Sequence, residues 1–247
     1  MFLILFGVAA CGFTGVALAR LGRRGRNEPK RLPLSPLHLV AVPVLVIAAW
    51  YWFSGLDPVE PGDNAVDNSL FTACLFLVPL VVLRLLIGRT DWFEKGALRE
   101  RWPWAAKAWI FGIPGLFAVA AVSQFLLDPI LPTGSEADAL HGLEDFSALD
   151  MMLMGLLACI VQPILEEMLF RGFLFRGLCG PRINLSPTRA LFVSSLLFGL
   201  AHTPDMWLPG MYLGGMLAWL DWRGGDLRLP ILAHCAHNTL FFVLALV

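Results

Sequence analysis

Apolar runs recur from one end of the chain to the other, separated by short polar stretches. Eight can be counted, at roughly 2–19, 37–54, 69–88, 105–127, 148–170, 190–206, 208–220 and 229–247. Most approach the twenty or so residues that a helix needs to cross a hydrocarbon core about 30 Å thick. The run at 208–220 is short, so its ends are the least defined. Nowhere do short segments alternate apolar and polar positions as in a membrane barrel. The pattern predicts an all-α, polytopic integral membrane protein of about eight transmembrane helices.

Composition agrees. Of 247 residues, 57% are hydrophobic and 15% charged, against about half and a quarter in soluble domains. The net charge of −1 says little; its distribution says more. "RLGRRGRNEPKR" after the first run is densely basic, whereas "GLDPVEPGDNAVDN" after the second holds four acids and no Lys or Arg. "RTDWFEKGALRERWPWAAK" is basic again, and "DPILPTGSEADALHGLEDFSALD" is acidic. The alternation continues through Arg171, Arg176, Arg182 and Arg189, then Arg223 and Arg228. Under the positive-inside rule the basic loops face the cytoplasm and both termini lie outside. A prokaryotic plasma (inner) membrane is the expected location. The partners expected are the lipid bilayer and a membrane-associated protein or peptide, with no nucleic acid. The oligomeric state is left open.

Several features have plain structural readings. "MFLILFGVAACGFTGVALA" has its basic residues after it rather than before, so it reads as a retained first span and not a signal peptide. Cys11, Cys74, Cys159, Cys179 and Cys235 show no metal-ligand spacing and read as small buried hydrophobes. Trp92, Phe93, Leu98, Trp102 and Trp104 read as an aromatic belt at the headgroup level rather than a substrate-guarding interfacial helix. "GMYLG" has GxxxG spacing, extended by Gly215 and Ala218, which predicts a close helix contact.

Ionisable residues inside the runs are harder to dismiss, because each is costly in lipid. "QPILEEMLFRGFLF" places Glu166, Glu167 and Arg171 at membrane depth. Glu167 and Arg171 are four apart in the favourable order for a helical ion pair. Glu166 points about 100° away and cannot share that partner equally. "ALFVSSLLFGLAHTPD" carries His202, with Phe198 one turn earlier on the same face. "LPILAHCAHNTLFF" carries His234, His237 and Asn238, the first and last on one stripe. Each group needs a partner in lipid, so one shared cluster is expected.

"EEMLFR", "FGLAH" and "HCAHN" resemble, in order, the EExxxR, FxxxH and HxxxN motifs of the CAAX prenyl endopeptidase and bacteriocin-processing family, the ABI or CPBP intramembrane proteases. The resemblance covers the last third of the chain and implies a division into 1–147, four N-terminal spans, and 148–247, a catalytic four-helix core. It also implies that Glu166 is the general base, with His202 orienting a water. His234 and Asn238 would stabilise the oxyanion, and Glu167 and Arg171 would support the site. The expected activity is endopeptidase cleavage without a cofactor, zinc being the alternative because Glu/His/His is a plausible zinc set. A non-catalytic immunity or scaffold protein of the same fold, and a proton-coupled transporter, are the rival functions. A prenylated C-terminus, a bacteriocin leader and a sorting tail are all compatible substrates.

Overall fold

A computed structural model describes residues 2–22, 28–36, 77, 80–81, 92–93, 97–127 and 147–246. The predicted spans at 37–54 and most of 69–88, with the loops at 55–68 and 128–146, lie outside the described residues. Those described are helical, with no strand among them. Helix α1 runs Phe2–Gly22 and α2 runs Ala97–Leu127. Helix α3 is one continuous rod, Ala148–Leu178, α4 is Pro187–Leu200, α5 is Trp207–Gly224, and α6 is Arg228–Ala245. Two stretches, Leu98–Leu126 and Ala148–Leu178, are long and apolar enough to cross a bilayer.

Local chemistry sets the helix ends. Ser147 opens α3 with a reciprocal capping box, its hydroxyl accepting from Asp150 N at 3.2 Å and its own N–H reaching Asp150 Oδ2 at 3.3 Å. Pro187 sits in the first turn of α4, where a missing N–H costs nothing. Gly225 ends α5 in the left-handed region, φ 68°, a conformation glycine adopts without a Cβ penalty. Asp226 Oδ1 then accepts from Arg228 N at 2.9 Å, satisfying a donor at the start of α6.

The sixth predicted run, 190–206, is corrected. Helix α4 stops at Leu200 and a 3₁₀ turn, Pro204–Met206, leads into α5. Pro204 forces the residue before it out of the helical region, and Thr203 is indeed extended at φ −64°, ψ 153°. The 14 residues of α4 rise about 21 Å at 1.5 Å each, short of a full crossing. Helix α5 is longer than its predicted 208–220.

The chain divides into two compact units. The first comprises Met1–Lys30, Phe93–Asp138 and Ser186–Ala233. Within it Phe13 meets Phe111 edge-on at 5.8 Å. Near Pro114, which interrupts the backbone ladder of α2, two carbonyls accept hydroxyls: Phe111 O from Thr14 at 3.0 Å and Gly112 O from Tyr212 at 2.9 Å. The small face of α5 packs on α4 as the glycine spacing predicts. A methyl added at Gly210 would lie 3.1 Å from Gly199 Cα, and one at Gly214 would lie 3.0 Å from the Phe198 ring. Guanidinium groups cap two helix C-termini here, Arg223 donating to Gly22 O and Arg101 to Gly224 O.

The second unit comprises Arg31–Trp92, Ala139–Leu185 and His234–Val247. Its segment at 31–36 is pinned by Leu32 N donating to Arg176 O at 3.0 Å. A Cβ at Gly180 would fall 1.8 Å from Leu32 O, so only glycine admits this approach. Trp92 is 5% exposed and stands edge-on to Phe173 at 5.1 Å. The aromatic-belt expectation is therefore corrected for Trp92, which is a core residue. Trp104, in the first unit, is likewise occupied in packing: it stacks on Trp219 at 5.2 Å and donates to Leu21 O. Cys159 and Cys179 are buried free thiols and Cys235 is half-buried.

Candidate active site

The site begins with an irregularity in α3 that no periodicity announced. Leu157–Val161 and Met168–Phe175 are wound as π-helix, and between them lies a short α stretch, Gln162–Glu167. Such π turns are rare and concentrate at functional sites. The first one has a sequence cause. In the π register Gln162 N reaches back five residues to Leu157 O, so the next acceptor, Ala158 O, faces Pro163, which has no N–H. An orphaned carbonyl is costly at membrane depth. Asn238 Nδ2 donates to Ala158 O at 2.8 Å and removes that cost.

The α stretch carries both glutamates, which are 2% and 0% exposed. Glu167 is locked in place. Its Oε1 accepts from Arg171 Nη1 at 2.7 Å and from His234 Nδ1 at 2.9 Å. All three residues are buried. The i,i+4 pair read from the sequence is therefore present, and it has a third member from α6. Because a carboxylate only accepts, the proton on His234 between them belongs to Nδ1.

Glu166 is held differently. Its Oε1 accepts from Gln162 Nε2 at 2.8 Å. Its Oε2 lies 3.8 Å from His234 Nε2, beyond hydrogen-bond distance. Thus one imidazole faces both carboxylates, bonded to one and adjacent to the other. Gln162 escaped sequence reasoning altogether, although its spacing of four residues from Glu166 was a usable signal.

His202 lies in the first unit, not in the helix where it was expected but in the turn beyond α4. Its Nδ1 lies 2.8 Å from Phe198 O, and its own carbonyl accepts from Trp207 Nε1 at 3.0 Å. A carbonyl cannot donate, so Nδ1 is the donor and Nε2 is the nitrogen left for another contact. The Phe198 ring lies 4.9 Å from the imidazole. His237 is buried with its ring 4.7 Å from Phe241 and 6.5 Å from His234.

The Asn238 contact yields a prediction. Asn238→Ala leaves Ala158 O without this donor, an expected loss of about 1–2 kcal/mol for an interhelical hydrogen bond in a membrane. Pro163→Ala restores a backbone N–H and recovers part of it. Detergent unfolding of both single variants and the double variant measures the coupling. Strictly additive losses would show that Asn238 does not serve the carbonyl that proline vacates.

An all-helical membrane protein whose buried carboxylates share a histidine from another helix is the class that fold and site define. Residues 148–240 match the family model of type II CAAX prenyl endopeptidases, Rce1-like. It is 29% identical over 220 residues to YdiL of Bacillus subtilis, provisionally named a membrane peptidase; the match covers 84% of this chain and 83% of YdiL. The UPF0177 protein YxdF of Lactococcus lactis is 25% identical over 164 residues, 64% of this chain and 88% of YxdF. An uncharacterized 24.3 kDa protein of Escherichia coli is 32% identical over 136 residues, 52% of this chain and 62% of that protein. No solved structure matches the chain. The molecule is thus similar to membrane proteases.

Proposed function

We propose that the chain is an intramembrane endopeptidase that hydrolyses a peptide bond of a membrane-associated protein or peptide with water activated by Glu166. The observation that carries this reading is the unequal treatment of the two glutamates. Glu167 is bound by a guanidinium and an imidazole through one oxygen, as suits a structural anion. Among the described residues, Glu166 is buried with only a neutral amide at hydrogen-bond distance, as suits a group that must take up a proton.

Glu166 removes a proton from water as the oxygen attacks the substrate carbonyl, and later returns it to the departing amine. His202, assigned by its motif position, orients the water through Nε2. His234 and Asn238 stabilise the oxyanion. For Asn238 this uses its second Nδ2 hydrogen, the first being held by Ala158 O. For His234 it uses the Nε2 side of the ring, Nδ1 being held by Glu167. Glu167 and Arg171 fix that ring. Residues 148–247 form the catalytic core in this reading. The termini lie outside and the basic loops face the cytoplasm of a prokaryote in this reading.

Hydrolysis without a metal is the reading preferred here, since the Arg171 guanidinium 2.7 Å from Glu167 Oε1 opposes a dication at that carboxylate. Metal-free hydrolysis is tested with purified chain in proteoliposomes and a farnesylated CaaX reporter peptide. Exhaustive chelation leaves the rate unchanged. A stoichiometric zinc whose removal abolishes cleavage, and whose return restores it, would overturn the metal-free mechanism.

A further inference from the structure

We infer that Gln162 is the positioning residue of the general base, holding the Glu166 carboxylate in one rotamer through its amide. The inference deepens the reading of Glu166 as base and rests on it.

Glu166 sits on the α stretch Gln162–Glu167, flanked on both sides by π-helix. Side chains four apart on an α stretch are neighbours on one face. The six α residues therefore place Gln162 over Glu166, and the amide nitrogen lies 2.8 Å from Oε1. With that oxygen occupied, the carboxylate turns its other oxygen toward the side of His234, where Nε2 lies 3.8 Å away.

The choice of residue type matters. A lysine or arginine here would neutralise the base, as Arg171 does for Glu167. An alanine or leucine would leave a buried carboxylate free to turn about its own side-chain bonds. A glutamine orients without supplying charge. Orientation of a reacting group is worth large factors in rate because small displacements are penalised steeply.

The test compares four proteins: the parent, Gln162→Met, Gln162→Glu and Glu166→Gln. Methionine keeps the length and removes the donor. With the farnesylated CaaX reporter in proteoliposomes, Gln162→Met lowers kcat about tenfold, the equivalent of one modest hydrogen bond, while KM stays within about twofold of the parent. Gln162→Glu places a second carboxyl against Glu166. Activity survives while the two share a proton, and an alkaline limb absent from the parent profile appears as the shared proton leaves.

Infrared difference spectra against Glu166→Gln isolate the Glu166 carboxyl bands without any turnover. These bands move in Gln162→Met, so a variant with reduced folding yield remains informative. Unshifted bands in Gln162→Met, or a parent-like pH profile in Gln162→Glu, would overturn the positioning role. Cleavage that persists in Glu166→Gln would instead overturn the reading of Glu166 as base, so the two failures are distinct.

Discussion

Glu166→Gln abolishes proteolysis while leaving the protein folded. Glutamine has the size and hydrogen-bonding reach of glutamate, and the Glu166 carboxylate is bonded to the neutral amide of Gln162 rather than to a guanidinium. Among the described residues the substitution removes no charge pair at hydrogen-bond distance, so the expected change in stability is small. The chemical change is large, since a general base is worth about 10²–10⁴ in rate. A readout that needs no knowledge of the substrate suits this variant. Mass spectrometry of peptide termini in membranes from cells expressing the parent chain shows cleavage sites that are missing with Glu166→Gln, at equal protein abundance. If the same termini appear with both, the protease reading fails and a scaffold role takes its place.

Glu167→Gln has the opposite profile. Here the carboxylate is fully buried and one oxygen serves both Arg171 and His234. Neutralising it breaks the ion pair with the Arg171 guanidinium, itself 0% exposed, and removes the acceptor that fixes the imidazole. Breaking a buried pair by removing one partner costs about 3–5 kcal/mol, a large share of the few kcal/mol by which a protein is typically stable. The expected result is a collapse in detergent-extracted yield and melting temperature, with loss of activity following from loss of fold. The double variant Glu167→Gln/Arg171→Met restores much of the stability, because no uncompensated charge is then left behind. Equal stability losses in Glu166→Gln and Glu167→Gln would refute the division of labour between the neighbouring glutamates.

The two glutamates also show where local reasoning succeeded. The Glu167–Arg171 pair was legible because its partners are four residues apart on one helix, a separation at which geometry is almost independent of the rest of the fold. The close contact of α4 and α5 was legible for a similar reason, since small residues at GxxxG spacing leave a groove that a neighbouring helix fills. His202 was misplaced on a helix although the cue lay in the sequence. Thr203 precedes Pro204, and a residue before proline leaves the helical region. The apolar run simply continued past the point where the backbone could not.

By itself the sequence determined that the described chain is helical and membrane-bound, that the candidate site residues fall in three short stretches, and that Glu167 pairs with Arg171. Each follows from interactions within one helix or from transfer of one segment between water and lipid. The tertiary structure decided that His234 bonds Glu167 and faces Glu166, that Asn238 serves Ala158 O, and that π turns bracket the glutamates. Those contacts join residues 67 and 80 positions apart. Their geometry depends on how α3 and α6 meet, and the π turn survives because a distant side chain satisfies the carbonyl that Pro163 cannot.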